Sequence, residues 1–338
     1  MSRSTIKDVA REAGVSVGSV SRVLNGLAVS PRMRHAVDTA MTRLDYEPNS
    51  LARSMRTNST GAVGYFVPDV ANPLYGAIIN ALDQRLKARG LMLLLASARG
   101  RNGREVLAEF RRRRVDGLIF TPDSETDPEL IRELKAFNGP TVIQTVEFPD
   151  SFYGVRIGYR AGLRSATDYL LGLGHRRIAL LTPLTELWPG RERAAGFREA
   201  FEARQLDLND ALVCPQDLGL DPELEVLRLL QSPQPPTALI LPGTRILAGA
   251  LRAARTCKLA IPSQLSLISI GDNDWVSSHD PAITTLRWPV ETLADTITEL
   301  LVSQMDGVRN QPVQITVPAE LVLRESCTSP PSPHQDSH

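Results

Sequence analysis

Residues 5–26, TIKDVAREAGVSVGSVSRVLNG, hold two short apolar stripes at helical spacing, separated by one glycine. Few arrangements accommodate that pattern other than a helix, a tight corner and a second helix. Thr5 stands where an N-cap belongs, with Asp8 three residues on in a capping-box-like position. Ile6, Val9, Ala10 and Ala13 then line one face of the first helix. Gly14 supplies the left-handed residue that ends it, because a residue without Cβ adopts that conformation freely. Ser16 caps the second helix. Its Val20, Val23 and Leu24 turn inward and leave Val17, Gly18, Ser19, Ser21, Arg22 and Asn25 mostly outward. A small, polar, arginine-bearing outer face on the second helix fits a helix-turn-helix that enters the DNA major groove.

The flanks extend this unit. Ser30-Pro31 caps and starts a third helix striped by Val37, Ala40, Met41 and Leu44. Asn49 precedes a short segment over 50–56, which Thr57-Asn-Ser-Thr ends. Residues 1–60 carry nine Lys or Arg against five Asp or Glu, so this head is +4 and the rest of the neutral chain is −4. A basic head on an acidic body is the charge distribution of a module that binds phosphates.

A chain of 338 residues exceeds one core, so further lobes are expected. After residue 61 the pattern changes to strands alternating with amphipathic helices. Short buried strands are expected over 63–67, 91–96, 118–121 and 142–145, with helices near 74–89, 102–114 and 127–137. A second series has strands over 178–181, 212–213, 239–241 and 267–270, with helices near 161–173, 191–204, 222–231 and 245–256. A helix near 290–304 and a strand near 313–317 follow. Two such series imply two α/β lobes with parallel sheets covered on both faces. The tail after Arg324 is rich in Pro and Ser and is expected to be disordered.

Several function classes lose support at this stage. No dinucleotide fingerprint follows a strand, and there is no P-loop and no nucleophile elbow, so the chain does not read as an enzyme. Cys214, Cys257 and Cys327 are scattered, with no C-x-x-C and no His/Cys cluster, so neither a disulfide frame nor a metal site is expected. No cofactor is implied. No secretory signal and no stretch of membrane-span length stands out, which points to a cytoplasmic chain. His175 lies at a helix end in a structural setting, and the run 111–114 reads as a solvated helix end.

The segments DVAREAGVSVGSVSRVLNG, VGYFVPDVANPLYGAIINALDQRLKARGLMLLLA, VDGLIFTP, LGHRRIALL, RERAAGF and DPAITTLRWPVETLA occur in that order. Together they resemble the LacI/GalR family of bacterial transcription regulators over about residues 5–325. The resemblance implies an all-α helix-turn-helix head on a two-lobed, periplasmic-binding-protein-like α/β body. It places the head at 1–48, a hinge helix and linker at 49–61, and the effector-binding and dimerisation body at 62–325. Lobe 1 would comprise about 62–158 and 290–325, lobe 2 about 159–289, and a disordered tail 326–338. The implied protein is a homodimer, most simply a repressor, that binds palindromic double-stranded operator DNA and responds to a sugar or sugar acid between the lobes. An activator, or a regulator controlled by a partner protein, has the same outline.

The resemblance also assigns residues. Val17, Gly18 and Arg22 take base-reading positions, and Arg22 suits guanine because its guanidinium donates to both N7 and O6. Thr5, Ser16, Ser19, Ser21 and Asn25 fall at phosphate-contacting or capping positions, and Ser30 and Asn49 complete the set. In the hinge, Met55 stands where the family places a minor-groove wedge, Ala52 permits close approach, and Arg53 and Arg56 meet phosphates. In the body, Arg193, or Arg191 beside it, is the expected clamp on ligand hydroxyls or carboxylate. Asp69, Asn72 and Tyr75 match lining positions of the first lobe, Asn72 being equally an N-cap. Trp188, Trp275 and Trp288 either stack on the ligand or fill the core.

The pattern departs from the family at three places around the cleft. Gly271 stands where an aspartate usually grips ligand, which leaves Asp272 or Asp274 to replace it. Gln144-Thr145 stands in place of a common Asp-Arg, and Gly158-Tyr159 in place of Asp-Asn. The ligand is therefore expected to be unusual for the family.

Overall fold

The computed structural model describes residues 4–24, 27–46, 59–98, 100–209, 212–216, 221–308 and 311–331. The chain divides into two compact units, Met1–Gly61 and Ala62–His338. The first contains α1 (Ile6–Glu12), α2 (Val17–Leu24) and α3 (Pro31–Arg43). Their apolar stripes meet in a core of Val9, Ala10, Val20, Val23, Val37 and Ala40, flanked by Ile6, Val15, Leu24, Met33 and Leu44 among others. Gly14 has φ +64°, and a Cβ there would meet nothing within 4 Å, so backbone conformation rather than space selects glycine at this corner.

The caps are local and cheap. The Ser16 hydroxyl accepts from Ser19 N–H at 3.0 Å, and the Ser30 hydroxyl accepts from Met33 N–H at 3.3 Å. Asp8 accepts from both the N–H and the hydroxyl of Thr5, at 3.0 and 2.6 Å. That bond to the Thr5 hydroxyl, above all, holds the Asp8 carboxyl below its usual range. Each such cap contributes about 1 kcal/mol. Ser4 Oγ donates to Leu44 O at 2.8 Å and ties the start of α1 to the end of α3.

The second unit begins with β1 (Ala62–Val67), α4 (Pro73–Lys87), β2 (Met92–Ser97), α5 (Gly103–Arg112), β3 (Gly117–Phe120), α6 (Pro128–Lys135), β4 (Thr141–Gln144) and β5 (Tyr153–Gly158). It continues with α7 (Tyr159–Gly172), β6 (Ile178–Pro183), α8 (Trp188–Ala203), β7 (Val213–Gln216), α9 (Pro222–Leu230) and β8 (Ala238–Leu241). Next come α10 (Thr244–Thr256), β9 (Ser266–Ile270), α11 (Asp274–Ser277), β10 (Thr284–Arg287), α12 (Val290–Met305), β11 (Gln314–Pro318) and β12 (Glu320–Val322).

The strands form two six-stranded sheets in the orders β11-β5-β4-β3-β1-β2 and β12-β10-β9-β8-β6-β7. All pairs are parallel except β10 with β12. In each sheet the chain leaves its first strand toward one edge and then returns past it toward the other. That reversal opens a crevice at the carboxyl ends of the strands, where such sheets accept small molecules. One apolar cluster runs through both lobes, from Val63, Tyr65 and Leu82 to Ile240, Ile268 and Leu286.

The returning segment departs from expectation. Helix α12 packs against the first lobe, where Arg85 of α4 pairs with Asp295 and Glu291. Strand β11 extends the first sheet, but β12 crosses back and pairs with β10 in the second. The first lobe therefore does not keep the whole of 290–325. Nor is the tail disordered over 326–331: Ser326 is fully buried, accepts from Thr284 N–H at 2.8 Å and donates to Leu267 O. The Leu267 N–H bonds to Ser326 O at 2.9 Å and the Glu325 N–H to Ala282 O at 2.9 Å, so the tail is tied in at the start of β9 and just before β10. Pro330 and Pro331 follow this contact and do not interrupt it; residues 332–338 lie outside the described residues.

His175 secures the same tail. Its Nε2 lies 2.9 Å from Thr328 O, which can only accept, and its Nδ1 lies 2.7 Å from Thr237 Oγ1. The neutral ring protonated at Nε2 satisfies both contacts. Burial accordingly holds the His175 pKa below its ordinary value.

Candidate DNA-reading face and ligand cleft

On the head, the outer face of α2 presents Val17, Gly18 and Arg22 to solvent, while Ser19 and Ser21 are half-buried. Val17 is 42% exposed, a cost in water that a thymine methyl would offset. A Cβ on Gly18 would meet only Ser16 Oγ at 3.6 Å, so packing does not require glycine there. One Arg22 Nη donates to Ala28 O at 3.2 Å, which steadies the guanidinium without using its other donors. Thr5, Ser16 and Ser30 are engaged in the caps described above, and Ser19 Oγ meets Ser16 Oγ at 3.0 Å. Asn25, Asn49, Ala52, Arg53, Met55 and Arg56 lie outside the described residues.

In the body, the expected clamp Arg193 is found on α8, only 4% exposed. Its guanidinium carbon sits 4.3 Å from the centroid of the Tyr159 ring. Tyr159 opens α7 and packs on Trp188 and Trp288 at centroid distances of 5.6 and 5.7 Å. Trp288 meets Tyr75 of α4 edge-on at 6.4 Å. Burial raises the hydroxyl pKa values of Tyr75 and Tyr159, and the charge of Arg193 opposes the rise at both. Four aromatic rings and one arginine thus form a seam between the lobes. The first lobe adds Gln144, whose Oε1 accepts from the Tyr65 hydroxyl at 2.6 Å.

Among the described residues, buried polar atoms without a partner lie mostly at the strand ends, with Arg193 on α8. They include Arg193 Nε and Nη1, Trp288 Nε1, Gln144 Nε2 and the hydroxyls of Thr121, Thr145, Thr182 and Ser269. Thr145, a β-branched residue, holds φ +63°, a conformation that costs about 1–3 kcal/mol and marks ligand sites.

The other expected residues do other things. Asn72 accepts from Leu74 N–H at 3.1 Å, so it caps α4, and Asp69 accepts from Ala71 N–H at 2.9 Å in the preceding turn. Asp272 is held by Arg324 through two bonds of 2.9 and 2.7 Å, so it is not a free ligand carboxylate. Asp274 and Trp275 lie exposed on α11, where Trp275 packs edge-on against His279 at 6.1 Å. Gly271 has φ +99°, and a Cβ there would meet Leu74 at 2.8–3.1 Å. Leu74 of the first lobe therefore fills the space that the family's aspartate would enter.

Arg191 bridges the lobes. One Nη donates to Glu125 and to Glu147, both at 2.9 Å. Glu125 also accepts from Trp188 N–H at 2.6 Å, which places a nearly buried carboxylate on the amino end of α8. No side chain of Leu187, the residue before α8, could make that bond. Glu125 was not legible in the sequence, because its partners lie more than sixty residues away on another lobe. Beside this latch lies a depression of about 550 Å³, lined by Arg156, Tyr159, Arg160, Trp188 and Glu192 among others.

Comparison with known proteins agrees with these two units. Residues 5–49 match the family described as bacterial regulatory proteins, lacI family, and residues 167–327 match a periplasmic binding protein-like domain. The chain is 30% identical to the HTH-type transcriptional regulator CelR of Thermobifida fusca, over 96% of this chain and 98% of that protein. It is likewise 30% identical to the HTH-type transcriptional repressor PurR of Escherichia coli O139:H28 (strain E24377A / ETEC), over 97% and 98%. Among solved structures, a transcriptional regulator CelR–cellobiose complex superposes with TM-score 0.72 at 29% identity, covering 96% of this chain and all of that one. A lac repressor dimer bound to operator and the anti-inducer ONPF has the same fold, with TM-score 0.81, 24% identity and coverage of 97% and 100%. These proteins are transcription regulators.

Proposed function

Because this chain belongs to the LacI family of bacterial regulatory proteins, we propose that it is a transcriptional repressor that acts as a homodimer on a palindromic operator. Each head places α2 in the major groove, where Arg22 supplies the one side chain of the exposed face with a two-donor fork for guanine. Val17 adds methyl contact. The hinge residues Arg53, Met55 and Arg56 contact the minor groove and its phosphates. A small molecule held between the lobes alters the grip on DNA. No helix of the described residues is long and apolar enough to cross a membrane, and we place the protein in the cytoplasm.

The observation that carries this reading is the buried Arg193 at the meeting of the two lobes, two of whose nitrogens have no partner, in a chain that also bears a solvent-facing, Arg22-bearing second helix. A site of that kind is where a ligand can bias the closure of two lobes. The test is footprinting on the region upstream of its own gene. Protection of two inverted half-sites one helical turn apart, lost steeply as salt rises, is expected. Protection of an asymmetric site would contradict the dimer.

A further inference from the structure

We propose that the cleft is built for a carboxylate on a flat, apolar body, such as an aromatic acid, and not for a neutral sugar. This rests on the reading of the cleft as the effector site and narrows the ligand within it. The first ground is donor count. Arg193 Nε and Nη1, Trp288 Nε1 and Gln144 Nε2 are buried without partners, and all of them can only donate. The acceptor end of Gln144 is already taken by Tyr65. A ligand that completes the seam must therefore bring acceptors.

The second ground is charge. Arg193 is a buried cation, and among the described residues no carboxylate pairs with it. Asp272 is committed to Arg324, and Glu125 and Glu147 to Arg191. Leu74 against Gly271 bars a carboxylate at that strand end. The face of Tyr159 offsets only part of the cost of burying the charge. A neutral polyol would add hydrogen bonds and leave the charge unmatched, whereas a carboxylate accepts from the guanidinium fork and neutralises it.

The third ground is shape. Tyr75, Tyr159, Trp188 and Trp288 present ring faces and edges to one another at 5.6–6.4 Å. A flat ring that enters as the lobes part can take over the offset or edge-on contacts these rings now make with one another. Because both lobes close over Arg193, entry parts them, and the bonds of Arg191 to Glu125 and Glu147 and of Trp188 N–H to Glu125 are among those that must yield.

The test titrates the full-length protein by calorimetry and by the fluorescence of its tryptophans. The probes are benzoate and cinnamate, their amides, gluconate, and the neutral sugars ribose and cellobiose. The acids are expected to bind at least tenfold more tightly than their amides, and Arg193→Gln, shown to be folded by its melting curve, is expected to lose that preference. Amides that bind as well as acids, or gluconate or a neutral sugar that binds better than either aryl acid, would overturn the inference. A sugar that binds and loosens operator would do so while leaving the effector reading intact. If no probe binds while the operator is still protected, both readings of the cleft fall.

Discussion

Arg22 and Arg193 are the same residue type in opposite settings. Arg22 lies exposed on a helix, steadied by one backbone carbonyl at 3.2 Å, with donors left over for a base. Arg193 is buried against a tyrosine ring, with two nitrogens that bond to nothing. Around Arg22 the polar side chains close off local backbone through caps that span three residues. Around Arg193 the polar side chains come from distant elements, and several keep atoms without a partner. The head is thus complete as a fold and waits only for a surface; the cleft is incomplete as a fold and is completed by what binds it.

The largest effect that would sharpen this contrast is at Gly271. Gly271→Asp restores the residue type of the family but forces a side chain onto Leu74 at positive φ. A loss of about 2–5 kcal/mol in urea unfolding is expected, from overpacking plus backbone strain. Leu74→Ala in the same chain should recover part of it. If Gly271→Asp is neutral, Leu74 does not plug the cleft. Next in size is Arg22→Ala. It should weaken operator binding by roughly tenfold to a hundredfold, matching about 1–3 kcal/mol for one bidentate base contact, with little change in head stability. Equal weakening on unrelated DNA would make Arg22 a phosphate contact and not a reader.

The smallest effect is a pH dependence at His175. Burial lowers its pKa below the ordinary 6.5, so the unfolded chain takes up a proton before the folded one does. Its contribution to stability is therefore full above about pH 6.5 and is lost as pH falls toward the lowered folded value. Melting curves between pH 7.5 and pH 5 should show this loss, and His175→Gln should flatten it. Stability indifferent to pH in this range would mean that His175 has the same pKa in the folded and the unfolded chain, and stability that rises as pH falls would mean that the fold holds it protonated.

The contrast also accounts for what was legible in the sequence. Helical stripes, caps and the Gly14 corner depend on neighbours three or four residues apart, and the head and most strands and helices of the body appear as expected. Strands β10 and β12 and helix α11 escaped because each is short and follows no apolar run: TTLR and ELV carry little period to read. Strand β5 escaped because YGVRIG has two glycines and an arginine in place of an apolar run. The tail misled because Ser and Pro are counted as solvent-seeking, whereas the Ser326 hydroxyl is spent on Thr284 and Leu267 inside the sheet. In the cleft, Arg193 and Tyr75 were legible from resemblance. The capture of Asp272 by Arg324, the filling of Gly271 by Leu74 and the Glu125 latch depend on residues distant in sequence and leave no periodic mark.

If the cleft keeps a buried charge for a ligand and not for the fold, removing that charge should not harm the unliganded protein. Thermal unfolding of Arg193→Met without ligand measures this directly. The account predicts a melting temperature equal to or above that of the parent, since an apolar chain of similar length does not carry the desolvation penalty of a buried charge without a counterion. A melting temperature several degrees lower would show that Arg193 holds the lobes together by itself, and would contradict the account.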